Sequence, residues 1–351
     1  DLAMTSPESP KALEDGFLGG VRPGSTLGVG SLPHRDGESA ARFSLEHFDI
    51  AVVPRLPRRS PAEQLVAQAI VGARGVTLGQ YGTIAVDVDA LDPDAPVVTD
   101  LRSDNFAGFR SFLEVASAAG IDGRPVKWQL VGPVTLGLSL TRAGAPIDLA
   151  FRVASQTVRA HADALCAELA ASLPDSPQLM VLDEPLLADL MDHDFPLPPD
   201  TAADLLSSTM AVVQDRATVG VHCCFDADWP SLLEAGPQVL SLPAREAVVD
   251  VAGYVDRFLD GGGWISWGAI SSDGPIGVTA NRSWHALSSI WCDLVRRGSD
   301  PALLRQQSLL SPRSGLAGHA PSVAEDICRS LGEISERVRD QASATRLVFG
   351  A

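Results

Sequence analysis

The chain has 351 residues, 45% of them hydrophobic and 20% charged, and its 27 basic against 44 acidic residues give a formal charge of -17. That acidity repels a phosphate backbone and argues against nucleic acid as a partner. No apolar run approaches the ~20 residues needed to cross a bilayer, so no membrane role is expected. Five cysteines, an odd number, fit a reducing compartment better than a disulfide framework, and a cytoplasmic protein is expected.

The opening, DLAMTSPESPKALEDG, has no apolar centre, and residues 1–20 are expected to form a loose tail. Beyond it, short apolar, β-branched runs alternate with segments of helical period. The runs are TLGVGS (26–31), DIAVVPRL (49–56), VKWQLVGP (126–133), QLMVLDEP (178–185), TVGVHCC (218–224), QVLSLP (238–243), GWISWGAI (263–270) and QQSLLSP (306–312). Continuous apolar runs are what parallel strands buried on both faces look like. Between them the helical period appears in ESAARFSLEHF, PAEQLVAQAIVG, DNFAGFRSFLEVASAAG, DLAFRVASQTVRAHADALCAELAASL, TAADLLSSTMAVVQDR, AVVDVAGYVDRFLDGG and NRSWHALSSIWCDLVRRG, and SVAEDICRSLGEISERVRDQ closes the series. Residues 74–102 read as a hairpin or extended insertion. Eight β/α units in this order predict an α/β protein, a (β/α)8 TIM-type barrel with an inserted hairpin, as a single domain over residues 21–351.

In such a barrel the chemistry sits at the C-terminal ends of the strands. The polar residues gather there: Gly30 and Ser31 end strand one, Arg55 strand two, Asp183 and Glu184 strand four, and His222, Cys223 and Cys224 strand five. Adjacent carboxylates after an apolar run are costly inside a barrel unless they meet a cation, a ligand ammonium or a hydrogen-bond donor. Their side chains diverge in a strand, so one faces the mouth while the other pairs with a neighbouring loop. The alternative is a solvated turn before Pro185. The Gly-x-Gly of GVGSLP is not a dinucleotide fingerprint, because Pro33 stands where the third glycine belongs. DGGGW (260–264) precedes a strand and reads as a helix end and turn. Cys166, Cys292 and Cys328 lie in helical patterns and are expected to be buried apolar thiols.

On an extended backbone His222 and Cys224 point to one side and Cys223 to the other. Imidazole nitrogen and thiolate sulfur are the ligands zinc prefers, so the pair could share one ion. The bland alternative is a buried histidine beside two small apolar thiols.

From GVGSLPHRD to SPRSGLAG the chain resembles the catalytic barrel of cobalamin-independent methionine synthase and its short single-barrel relatives, in the wider methionine synthase and uroporphyrinogen decarboxylase superfamily. The resemblance rests on Gly30-Ser31-Leu32-Pro33, Gly132-Pro133-Val134-Thr135, Asp183-Glu184-Pro185 and His222 with Cys224, and on PRLPRRSPAEQ (54–64) and the His222–Trp229 stretch, which match the short relatives. It implies a methyltransferase in which Zn2+ binds the thiol of homocysteine, lowers its pKa and presents a thiolate to a methyl donor. His222 and Cys224 would be metal ligands, and Asp183, His222 and Cys224 the catalytic set. Gly30, Ser31, Asp183 and Glu184 would bind the substrate. The donor would be a folate or a methylated corrinoid carried on another protein.

Two positions depart from that pattern. The family's carboxylate ligand after strand six falls near Pro243 or Ala244, and its Cys-Gly-Leu after strand eight is Ser314-Gly315-Leu316 here. Cys223, Asp226, Glu246 and His319 are the candidates for a third ligand, with Ser314 at the altered position. The competing reading is a catalytically silent barrel that binds a small molecule or a partner protein through the same mouth.

Overall fold

A computed structural model describes residues 17–121, 123–272 and 280–349. Most of the expected tail therefore lies outside the described residues, and Phe17–Gly20 form a short 3-10 turn with Phe17 buried.

The eight runs become eight strands of one parallel sheet. In chain order the strands are β1 (Ser25–Thr26), β2 (Ala51–Val52), β3 (Val76–Leu78), β4 (Ile84–Val86), β5 (Val126–Val131), β6 (Gln178–Asp183), β7 (Thr218–His222), β8 (Val239–Pro243), β9 (Trp264–Ile270) and β10 (Ser308–Pro312). The sheet runs β1-β10-β9-β8-β7-β6-β5-β2, and β3 pairs only with β4, antiparallel, at 76–78 against 84–86. The edge strands β1 and β2 meet: Ile50 N donates to Thr26 O, Arg55 N to Gly30 O and Leu32 N to Arg55 O, each at 3.0 Å. A parallel sheet curled until its edges touch is the arrangement of a TIM-like barrel. Every residue of β5, β6 and β7 is buried, which explains why these runs are continuously apolar rather than alternating.

The first two strands are far shorter than their apolar runs. Gly30 has φ 146°, and a Cβ there would come within 2.4 Å of the Gln129 side chain, so glycine allows β1 to break its ladder and curl over the barrel end. Pairing resumes only as a single parallel bridge between Ser31 and Arg55.

The helices between strands are amphipathic and lay their apolar faces on the sheet. Gly37–His47 starts at Asp36, whose carboxylate accepts from Ser39 N at 2.8 Å. Ala107–Ala119 ends on Gly120 with φ 63°, a left-handed stop. Three helices go beyond the periodic segments: Pro133–Arg142, Trp229–Glu234 and Pro301–Gln306. Each begins with proline at one of its first two positions, where the missing N–H is no loss. Among the described residues no helix is long and apolar enough to cross a membrane. One expectation is corrected: Cys166 and Cys328 are buried, but Cys292 is exposed, because it lies on the outward side of Ala280–Arg296, whose Leu287, Ile290, Trp291 and Leu294 face in.

Candidate functional site

The barrel mouth is assembled from strand ends. At β1, Ser31 is 8% exposed and its backbone oxygen accepts from Leu316 N at 2.8 Å, which folds the loop after β10 over the first strand. Gly30 lies beside it against Gln129. The bridge with Ser31 places Arg55 on the same rim.

Asp183 and Glu184 take opposite directions, as neighbours on an extended backbone must. Glu184 is fully buried, and its oxygens accept from Val134 N at 2.9 Å and Thr135 N at 2.7 Å, the first free amides of Pro133–Arg142. It is a carboxylate laid on a helix N-terminus, where amides and dipole both favour it. Gly132 is required there, because a Cβ would lie 2.0 Å from the carboxylate. Burial pushes Glu184 up to about 7 against these hydrogen bonds.

Asp183 has no such support. It is 4% exposed, and its Oδ1 is buried with no hydrogen-bond partner among the described residues. Burial raises it to about 6, with Lys127 and then Arg55 opposing. Lys127 is itself buried; its Nζ donates to Val29 O and, at 2.9 Å, to Gln129 Oε1. Burial lowers this lysine to about 8, with Asp183 acting against that and Arg55 adding to it.

His222 sits beside Asp183 in register. Its Nδ1 pairs with Ser241 Oγ at 2.8 Å, and burial, then Lys127, lowers it to about 3, so the imidazole is neutral at physiological pH. Cys223 is buried, lies 4.0 Å from Pro185 O and is pushed by burial up to about 12, a thiol rather than a thiolate. Cys224 is half-buried.

The remaining strand ends carry serines. Ser266 donates to Ser311 at 3.3 Å, and Ser314 pairs through its hydroxyl and backbone N–H with Ser272, whose carbonyl also meets His319 Nε2 at 2.6 Å. Asp226 pairs at 3.4 Å with Arg245, and Glu246 is exposed. Below the mouth, Lys127, His222, Ser241, Ser266 and Ser311 line a cavity of about 10 Å³, room for about one water.

A working zinc site needs three protein ligands and one open position. The strand-end pattern here supplies His222 and Cys224, a hydroxyl at Ser314 and Pro243 near the expected carboxylate. Among the described residues no group of three His, Cys, Asp or Glu side chains could hold a metal ion. The donor set therefore does not fit a catalytic zinc centre.

Reading the strands as continuous apolar runs passed over the polar layer inside the barrel. Lys127 and Gln129 stand two apart in VKWQLV, and that spacing puts both on one face of a strand. Single polar residues inside such runs, including Ser241 and Ser266, were the available signal.

No protein-family model matches the chain. No curated protein matches it. Among solved structures it is similar to a methyltransferase from Methanosarcina mazei, with TM-score 0.58 and 14% identity over 92% of this chain and 96% of that one. It is also similar to a candidate vitamin-B12 independent methionine synthase from Listeria monocytogenes, with TM-score 0.55 and 16% identity over 91% and 98%. At these identities the likeness bears on the fold alone, and the chain shares the fold of these two proteins.

Proposed function

We propose that this protein binds a small amino-acid thiol of the homocysteine class at the barrel mouth and holds it for methyl transfer to sulfur. The observation that carries this reading is the unmet Oδ1 of Asp183. A buried carboxylate oxygen with no donor is destabilising by about 1 to 3 kcal/mol or more, and a ligand ammonium removes that penalty with a charge-assisted hydrogen bond. The fold shared with a methyltransferase supports the reaction class.

The chain's own part is binding and desolvation. A neutral His222 with a pKa near 3 is too weak a base to take a proton from a thiol whose ordinary pKa is about 8.5. It offers the ligand a hydrogen-bonding edge instead. Ser31 and Gly30 form the rim beside Arg55.

One observation favours a second reading, a barrel that binds without catalysing: serine and proline stand where the resemblance expects two of the zinc ligands. The experiment is calorimetry with L-homocysteine and with 1-propanethiol, followed by an assay for methionine formation with a methylfolate and with methylcobalamin as donors. Asp183→Asn should weaken L-homocysteine about ten- to a hundredfold and leave 1-propanethiol unchanged. Equal losses would remove Asp183 from the binding role. Tight binding with no methionine from either donor would establish the silent barrel.

A further inference from the structure

The segment PRLPRR brings three arginines to the rim, and the structure uses them differently. Arg58 donates through Nε to Ala317 O at 2.6 Å and through Nη2 to Gly318 O at 3.2 Å, tying down the loop after β10. Arg59 is paired with Glu63 at 2.7 Å and with Asp104 at 2.8 Å. Arg55 has no carboxylate within ion-pair distance among the described residues and only a weak carbonyl partner. Its one hydrogen bond is a long contact of 3.4 Å from Nη1 to Glu63 O, and its Nε is buried with no partner among the described residues.

Asp183 presents the opposite deficiency, a buried Oδ1 with no donor. The two charges are close enough that each acts on the protonation of the other. Yet among the described residues neither enters an ion pair within 4.0 Å. Lys127 does not fill the gap, since its ammonium donates to Val29 O and Gln129 Oε1. Buried polar groups are nearly always satisfied, so a guanidinium and a carboxylate on one strand-end rim, each with a buried atom that no described residue meets, call for a ligand that supplies both counterparts.

We infer that Arg55 receives the carboxylate of the ligand while Asp183 receives its ammonium, so that the mouth reads the whole zwitterionic head of an α-amino acid. This rests on the reading of the mouth as an amino-acid-thiol site and adds the residue that recognises the acid end. Guanidinium matches a carboxylate in shape as well as charge, through two parallel N–H donors. A phosphate would fit the arginine but would set a second negative charge against Asp183 in a buried space. A zwitterion adds no net charge, so it meets both groups without that repulsion.

The test uses the full-length protein and four probes: L-homocysteine, 3-aminopropane-1-thiol, which lacks the carboxylate, 4-mercaptobutanoate, which lacks the ammonium, and L-norleucine, which lacks the thiol. The unaltered protein should bind L-homocysteine at least about tenfold more tightly than either trimmed thiol, as expected for one charge-assisted contact. Arg55→Gln should bring L-homocysteine down to the level of 3-aminopropane-1-thiol while leaving that probe unchanged, and Arg55→Lys should fall between. An Arg55→Gln variant that weakens both probes alike, or neither, overturns the assignment. Should that variant fail to fold, equal affinities of the unaltered protein for L-homocysteine and 3-aminopropane-1-thiol overturn it as well. L-norleucine separates the two readings. If it binds as tightly as L-homocysteine, and does so through Arg55 and Asp183, amino-acid recognition stands and the thiol-methylation reading fails.

Discussion

The two halves of the barrel mouth are built on different chemistry. Around β1, β2, β5 and β6 lie charges: Arg55, Lys127 and Asp183, with atoms of Arg55 and Asp183 that no described residue meets. Around β7 to β10 lie hydroxyls that satisfy one another and the imidazole, through Ser241 with His222, Ser266 with Ser311 and Ser272 with Ser314. A self-satisfied network needs no ligand to be stable, whereas buried charges short of partners do. The first half is therefore equipped to hold a charged head group. The second half, where a catalytic metal would be expected, holds no buried carboxylate among the described residues; its charges are Arg313, which donates to Ser271 Oγ, and Arg245 paired with Asp226, and it is the quieter half. Recognition and activation are separable functions of one mouth, and the proposed reading assigns the first to these charges.

The largest effect should come from removing the buried carboxylate of the first half that caps a helix. Glu184→Ala removes the acceptor of two buried amides at the start of Pro133–Arg142 and leaves a hole against Gly132. A loss of about 3 to 5 kcal/mol is expected from unmet donors and cavity together, seen as a large drop in Tm. A drop of only one or two degrees would mean that water takes over this carboxylate and that Glu184 is not the anchor of the helix.

Asp183, its neighbour in sequence, should behave in the opposite way. Its folded value of about 6 lies above the ordinary 3.8, so its ionised form is disfavoured in the folded state. The protonated group's advantage is fully present below about pH 3.8 and is lost as pH rises through about 6. Asp183→Asn should thus raise stability at pH 8 by about 1 to 3 kcal/mol and do so progressively less toward pH 4, while abolishing the preference for amine ligands. Denaturant titrations at the two pH values check this. An equally destabilised variant at both would show that Asp183 has structural partners after all.

These two residues also show what the sequence made legible. The eight strands were visible because burial on both faces demands continuous apolar runs, and the strand-end rule then located Asp183, His222 and Cys224. The divergence of Asp183 from Glu184 followed from alternation along a strand. What the sequence hid depended on contacts made across the chain. The helix Pro133–Arg142 begins inside the Gly132-Pro133-Val134-Thr135 motif and is not among the segments of helical period. Arg55 looked like Arg58 and Arg59, and only their partners at Ala317, Gly318, Glu63 and Asp104 tell them apart. The exposure of Cys292 likewise depends on which side of its helix meets the sheet.

A smaller effect tests whether the charged half alone governs ligand affinity. Ammonium binding needs ionised Asp183, so affinity for L-homocysteine should hold from about pH 8 to pH 6.5 and then fall, approaching tenfold per pH unit below about 6. His222, lowered to about 3, stays neutral across this range and adds nothing to the profile. Lys127, near 8, should give only a shallow change at the alkaline end. Affinity for 4-mercaptobutanoate, which has no ammonium, should not fall on acidification through pH 6. Parallel profiles for the two ligands would assign the titration to another group.

The smallest effect is expected in the quiet half. Ser314→Cys places a thiol on the loop after β10, where the resemblance to methionine synthase expects a zinc ligand, and thiolate binds zinc far better than a neutral hydroxyl does. The new sulfur would join His222 and Cys224 as a third donor, but each must first give something up. His222 has Nδ1 engaged with Ser241 at 2.8 Å, and position 314 exchanges two hydrogen bonds with Ser272. Breaking such neutral hydrogen bonds costs about 1 kcal/mol each, which offsets much of what one added ligand contributes. A severalfold gain in zinc affinity is therefore expected, measured by competition with a chromogenic chelator, and the double change Ser314→Cys with Ser272→Ala should enlarge it by freeing the loop. If neither variant binds zinc more tightly than the unaltered protein, residue 314 is directed at the β9 loop rather than at His222, and the quiet half of the mouth is a hydroxyl network with no latent metal site.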